Sequence, residues 1–169
     1  MSRLESDPPL VRFYQWNQGP LERILFGLLS RVYDRNLKAC VVVADMEHAR
    51  RLDTMLWTME SDSFLPHGAC RGADSPRHPI ILCTEPSDVN GASVLILAHG
   101  RFEDRFADFD QTLDFVVDHT PEGLQTSRGR YRRYRDAGGR MEFWVHTRED
   151  GWRLKAKGQN ESMSSATQT

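Results

Sequence analysis

The sequence is poor in cysteine, in long apolar runs and in net charge, and each shortage removes a class of protein. Three cysteines in 169 residues, Cys40, Cys70 and Cys83, are an odd number without framework spacing, so a disulfide-stapled extracellular domain is not expected. Cys40 and Cys83 lie inside the apolar runs ACVVVA and PIILC, where a cysteine acts as a small buried hydrophobe; a reducing cytoplasm fits that usage. Such runs fall well short of the roughly 20 apolar residues that a membrane span needs. The start, MSRLESDPPL, has no apolar stretch of signal-peptide length, so neither export nor a membrane partner is expected. The formal net charge is only −2, which excludes a uniformly basic nucleic-acid coat protein and makes any anion binding local.

The usual signatures of chemistry are missing as well. The turn after the first expected strand reads NQGPLE, with neither the G-x-G-x-x-G of dinucleotide binding nor the lysine of a P-loop. No G-x-S-x-G nucleophile elbow occurs. His67, Cys70, His78 and Cys83 are zinc-competent, but they pair in mixed fashion rather than as C-x₂₋₄-C or H-x₃₋₅-H. They read better as loop histidines and inert thiols. Asp104, Asp108, Asp110, Asp114 and Asp118 have the spacing of solvated helix and strand faces. No catalytic residue, cofactor or metal is expected.

What is present is alternation. VRFYQW (11–16) has strand composition, and Pro20 then suits the first turn of a helix over LERILFGLLSRVYDRN. In that helix Leu21, Ile24, Leu25, Leu28, Leu29 and Val32 share the inner face. ACVVVADM (39–46) reads as a strand buried on both sides, and EHARRLDTMLWTM (47–59) as an amphipathic helix. PIILCTE (79–85), SVLILAHG (93–100) and LDFVVDHT (113–120) are further strands; a short helix is expected in RFEDRFADFDQT and a last one over 121–137. MEFWVHTR and GWRLKAK flank Asp150-Gly151 as a hairpin. The pattern predicts an α/β fold, a single domain (11–157) whose mostly parallel sheet is flanked by helices, with a C-terminal β-hairpin extension. Residues 1–10 are expected to form a flexible lead-in and 158–169 a disordered tail.

Against the near-neutral total, SRGRYRRYRDAGGR (127–140) concentrates six arginines and two tyrosines with one acid, Asp136. On a helix Arg128, Tyr131, Arg132 and Arg135 fall at i, i+3, i+4 and i+7 and form one stripe. Guanidinium groups offer paired donors to carboxylate or phosphate, and the tyrosine adds an apolar wall. Arg130 and Tyr134 point elsewhere, Tyr134 toward the sheet. The residues alone leave three readings of the stripe open: a solvated face, a nucleic-acid backbone site, or a site for an acidic peptide with a free C-terminus. A second feature, LDTMLWTMESDSFLPHG (52–68), places Trp57, Phe64 and Pro66 where they form either a satellite core or a partner-binding patch; the residues alone favour core.

Taken in order, RLDTMLWTMESDSFLPH, FADFDQTLDFVVD and RGRYRRYRDAGG resemble the chi subunit of bacterial DNA polymerase III holoenzyme, over about residues 11–143. The resemblance implies a Rossmann-like α/β fold and a noncatalytic accessory subunit of a DNA-directed DNA polymerase, acting in the bacterial cytoplasm. It implies an adaptor that binds the acidic C-terminal tail of single-stranded-DNA-binding protein, with DNA contacted mostly indirectly. It also implies a second partner, the psi subunit or another clamp-loader component, whose surface a helicase can use instead. The positions matching the tail site are Arg128, Tyr131 and Arg132, with Arg135 on the same stripe. Those matching the psi or helicase interface are Trp57, Phe64 and Pro66. The chain departs at Leu124, which is apolar, so another basic residue of the family's tail site has no counterpart. The hairpin after residue 143 extends beyond the ending expected of the family.

Overall fold

The structure, a computed structural model, describes residues 7–59, 65–70 and 75–158. Phe64 lies outside them. Two compact units emerge, one of Gln18–His99 and one that combines the chain up to Asn17 with the chain from Gly100.

The Gln18–His99 unit holds α1 (Leu21–Asp34), β2 (Ala39–Val42), α2 (Met46–Thr58), β3 (Gly68–Ala69), β4 (Ile80–Cys83) and β5 (Val94–Leu97), numbered after β1 (Leu10–Trp16) of the other unit. Its strands run parallel in the order β3-β4-β2-β5. Every residue of β2, β4 and β5 is buried, as an unbroken apolar run in a parallel sheet requires. α1 buries Leu25, Leu28, Leu29 and Val32 as the periodicity predicts. It buries Phe26 in addition and leaves Leu21 and Ile24 half-exposed. Asp45 caps α2, its side chain accepting a hydrogen bond from the His48 amide. The Asn90 amide donates to the carbonyls of Ala39 and His78, tying the starts of β2 and β4 together.

One expectation fails in this unit. Cys70 and Cys83 are not separate thiols; they form a disulfide between the end of β3 and β4, with Cα atoms 5.0 Å apart. Thirteen residues separate them, so sequence spacing gave no sign that β3 would lay its end against β4. Cys40 is free and buried.

The other unit holds β1, β6 (Gln111–Phe115), α3 (Pro121–Asp136), β7 (Arg140–Thr147) and β8 (Gly151–Gly158). β1 lies between β6 and β7, parallel to both, and β8 pairs antiparallel with β7. The expected short helix over 101–112 is a single 3₁₀ turn, Asp104–Asp108, and Gln111 and Thr112 belong to β6 instead. The hairpin forms as read, with Gly151 at φ 65°, a left-handed conformation that glycine adopts without steric cost. The α/β class, the mostly parallel strands with flanking helices and the C-terminal hairpin are all present.

Candidate functional site

The site is built on α3. Thr120 caps the helix by accepting from the Gly123 amide, Pro121 occupies its first turn, and Gly138, at φ 96°, follows its end. A Cβ at Gly123 would collide with Asp118, so only glycine lets the helix start this close to the preceding loop.

Two residues on the inner face fix the rotation of the helix. Arg130 is 7 % exposed and makes paired hydrogen bonds to the carboxylate of Asp114 on β6, Nε to Oδ2 at 3.1 Å and Nη2 to Oδ1 at 3.0 Å. Nη2 also donates to the Phe115 carbonyl at 2.9 Å, and the guanidinium lies over the Phe13 ring. Asp114 is therefore wholly buried, not on a solvated strand face as its spacing suggested. Burial pushes its carboxyl above the ordinary aspartate range, while the Arg130 charge and hydrogen bonds, the Phe115 amide and the Tyr134 hydroxyl pull it back. Tyr134 is fully buried among Phe13, Phe102 and Phe106, and its hydroxyl accepts from the Glu103 amide at 3.0 Å. Burial pushes that phenol strongly upward, so it stays neutral. Tyr134 is the anchor the sequence suggested.

With Arg130 and Tyr134 locked inward, the stripe faces out. Arg128, Tyr131, Arg132 and Arg135 all line one cleft of about 630 Å³. Tyr131 is half-buried, edge-on to Phe13 at 5.4 Å and to Phe143 of β7 at 6.2 Å between ring centroids. Burial raises its pKa and the nearby Arg135 charge opposes that, so it presents a neutral phenol. Val116, Leu124, Phe143 and Ala156 make the rest of the wall largely apolar, with Gln15 and Lys157 as polar additions.

The six arginines of the basic segment divide by their contacts. Arg130 is structural, and Arg133 stacks on Phe102 with its guanidinium carbon 3.8 Å from the ring centroid. Arg135 both lines the cleft and reaches Asp136. Among the described residues no carboxylate lies within ion-pair reach of Arg128 or Arg132, and both are exposed. The cleft can therefore offer unspent guanidinium donors beside an apolar wall.

Sequence reasoning missed the opposite side of this cleft. Phe143, Ala156 and Lys157 come from the hairpin, and the only available signal was the pairing register across Asp150-Gly151. Leu124, noted above only as a departure, sits in the cleft.

The other candidate residues belong to the Gln18–His99 unit. Trp57, near the end of α2, is 52 % exposed, and Pro66 is half-exposed beside the buried Leu65. Trp57 is thus not the core residue that composition favoured. Its ring lies 4.8 Å from that of His67. His67 is buried, with Nδ1 2.8 Å from the Leu65 carbonyl and Nε2 3.0 Å from Asp53 Oδ1. These bonds hold the 65–67 segment against α2. Both ring nitrogens of His67 are engaged, and Cys70 and Cys83 are joined. Among the described residues no group of three metal-ligating side chains converges.

Residues 9–142 match the family model of the DNA polymerase III chi subunit, HolC. The chain belongs to this family. Chi is a subunit of the replicative polymerase, which assigns the chain to DNA replication as an accessory component. Two curated chi proteins are similar to it. The DNA polymerase III subunit chi of Escherichia coli (strain K12) is 25 % identical over 119 residues, 70 % of this chain and 80 % of that protein. The probable DNA polymerase III subunit chi of Rickettsia prowazekii (strain Madrid E) is 28 % identical over 75 residues, 44 % of this chain; the match spans 46 % of the Rickettsia protein. The family match includes α3 and the Trp57 region and stops before Phe143 and β8. Among the described residues no helix is long and apolar enough to cross a membrane.

Proposed function

We propose that this chi-family chain is a noncatalytic adaptor that couples the clamp loader to single-stranded-DNA-binding protein by holding that protein's acidic C-terminal tail in the α3 cleft. The observation that carries the reading is the conjunction of exposed Arg128 and Arg132, with no carboxylate in ion-pair reach among the described residues, and an apolar wall around Tyr131. A cleft for phosphate alone has no use for Val116, Leu124 and Phe143. An acidic tail ending in an aromatic residue uses both parts, its carboxylates at the guanidiniums and its ring against the wall. Arg128 and Arg132 take acidic side chains or the terminal carboxylate, Tyr131 contacts the aromatic, and Arg135 adds charge at the edge.

The exposed Trp57 and the half-exposed Pro66 belong to the second interface, for the psi subunit, another clamp-loader component or a helicase; Phe64, outside the described residues, is assigned to it by the family resemblance alone. A large exposed indole beside a braced loop has the character of an interface anchor. The chain works in the bacterial cytoplasm, with DNA reached mainly through its partners.

Fluorescence anisotropy with a labelled acidic tail peptide, the same peptide without its last aromatic residue, and a bare single-stranded oligonucleotide tests the reading. Binding of the intact peptide alone supports it. Binding of the oligonucleotide alone, falling steeply with salt, overturns it in favour of direct nucleic-acid binding by the same arginines.

A further inference from the structure

The wall of the cleft opposite α3 is supplied by β8, and its shape depends on a bulge. On the α3 side of the sheet lie Phe13, which touches Tyr131 and Tyr134, and Phe143, its partner across β1 and β7. Phe143 pairs in turn with Ala156 of β8, and Met141 pairs with Gly158. At these two pairs the β8 residues facing α3 are therefore an alanine and a glycine. The Gly158 position is so close to the helix that a Cβ there would sit 3.8 Å from the Tyr131 hydroxyl.

Side chains alternate along a strand, so Leu154 and Trp152 would by parity share the face of Ala156. They do not, because the register shifts between Phe143 and Trp144. Trp144 pairs with Leu154, and Lys155 is the extra residue. The bulge sends Trp152 to the opposite face, where its ring packs against Tyr14 at 5.1 Å and His146 at 5.0 Å. After the shift the α3 side of the sheet receives Arg153, opposite Val145 and ion-paired with Asp150, while Ala156, exposed, lines the cleft beside Phe143. The strand that could fill the cleft with an indole leaves it open.

We infer that Ala156 is a specificity-determining residue, which sets the room between β8 and Tyr131 so that the cleft admits a peptide with a large aromatic C-terminal side chain. This inference rests on the reading of the cleft as an acidic-peptide site. It goes beyond that reading because the wall it concerns, Phe143 and β8, lies beyond the matched residues 9–142. The aromatic side chain packs over the contacting Tyr131 and Phe143 rings with Ala156 beside it, and the acidic residues before it run toward Arg128 and Arg132.

The test uses the full chain and two labelled peptides with the same acidic sequence, one ending in phenylalanine and one in alanine. The wild-type protein should prefer the phenylalanine peptide. Ala156→Leu fills the space and should weaken binding of that peptide about tenfold or more, while changing the alanine peptide less than about twofold, so the preference collapses. Ala156→Val, smaller and well suited to a strand, should give an intermediate loss, and it carries the test if the leucine variant fails to fold by circular dichroism. Arg132→Ala should weaken both peptides alike, which reports on the acidic-peptide site separately. If Ala156→Leu or Ala156→Val is folded and keeps the wild-type preference, the inference is wrong while the peptide site stands. If the wild type binds neither peptide, both fall.

Discussion

Arg130 and Asp114 form a buried, two-pronged ion pair, 3.0 and 3.1 Å between donor and acceptor atoms, that joins the middle of α3 to the central part of β6. The pair decides which arginines of the basic segment are available. Turning the helix by one residue would put Gly129 or Tyr131 in the place of Arg130 and leave a buried aspartate alone. Structure and function are linked here through one charge: the committed arginine positions the uncommitted ones.

Removing Arg130 should be costly and pH-dependent. Arg130→Met strands a fully buried carboxyl and should destabilise the fold by about 3–5 kcal/mol. Without the guanidinium, burial acts on Asp114 with less opposition and its folded-state pKa rises further above the unfolded value. A carboxyl raised in this way contributes most below its unfolded pKa and loses that contribution as pH rises through the folded pKa. The stability gap between variant and wild type should therefore widen as pH rises above the ordinary aspartate range. Urea unfolding at several pH values measures it; a gap that stays constant contradicts the buried-charge account. Adding Asp114→Asn to the variant should recover part of the loss.

Gly129 gives the opposite case. It lies within α3, and a Cβ there meets nothing within 4 Å. Gly129→Ala should raise stability by about 0.5–1 kcal/mol, because alanine loses less backbone entropy in a helix. Thermal unfolding measures the shift. Peptide affinity should hold or improve, since the stripe becomes stiffer; a weakened peptide interaction would mean that the helix must flex to bind.

Trp57 separates the two proposed interfaces. With half its surface exposed, Trp57→Ala should cost less than about 1 kcal/mol of stability. It should leave the acidic-peptide affinity unchanged and abolish co-purification of the second subunit. Pull-down from cells carrying the tagged wild-type and variant chains reads this out. Retained co-purification would remove Trp57 from the interface.

The elements that position the site were legible wherever a local pattern sufficed. The i, i+3, i+4, i+7 spacing placed Arg128, Tyr131, Arg132 and Arg135 on one face, and Asp150-Gly151 fixed the hairpin. Illegible were the features that depend on pairing across distance. Asp114 looks like any other aspartate in an acid-rich segment; its burial follows only from Arg130, sixteen residues away. Ala156 carries no signal as an alanine in GWRLKAK, and its place in the cleft depends on a one-residue bulge that periodicity cannot show. Acids and aromatics at 101–110 mimic helical spacing and carry it on to Gln111 and Thr112, whereas a short 3₁₀ segment, Asp104–Asp108, ends before β6 begins.

The most direct test of the account is the affinity of the Arg128→Ala/Arg132→Ala double variant for the acidic tail peptide, measured by titration beside the wild type and with circular dichroism on both. Both side chains are exposed and their removal touches no core contact. The account predicts an unchanged fold and a loss of affinity of about tenfold or more, with a weaker dependence of the remaining binding on salt. Unchanged affinity in a folded double variant would contradict it and move the peptide off α3.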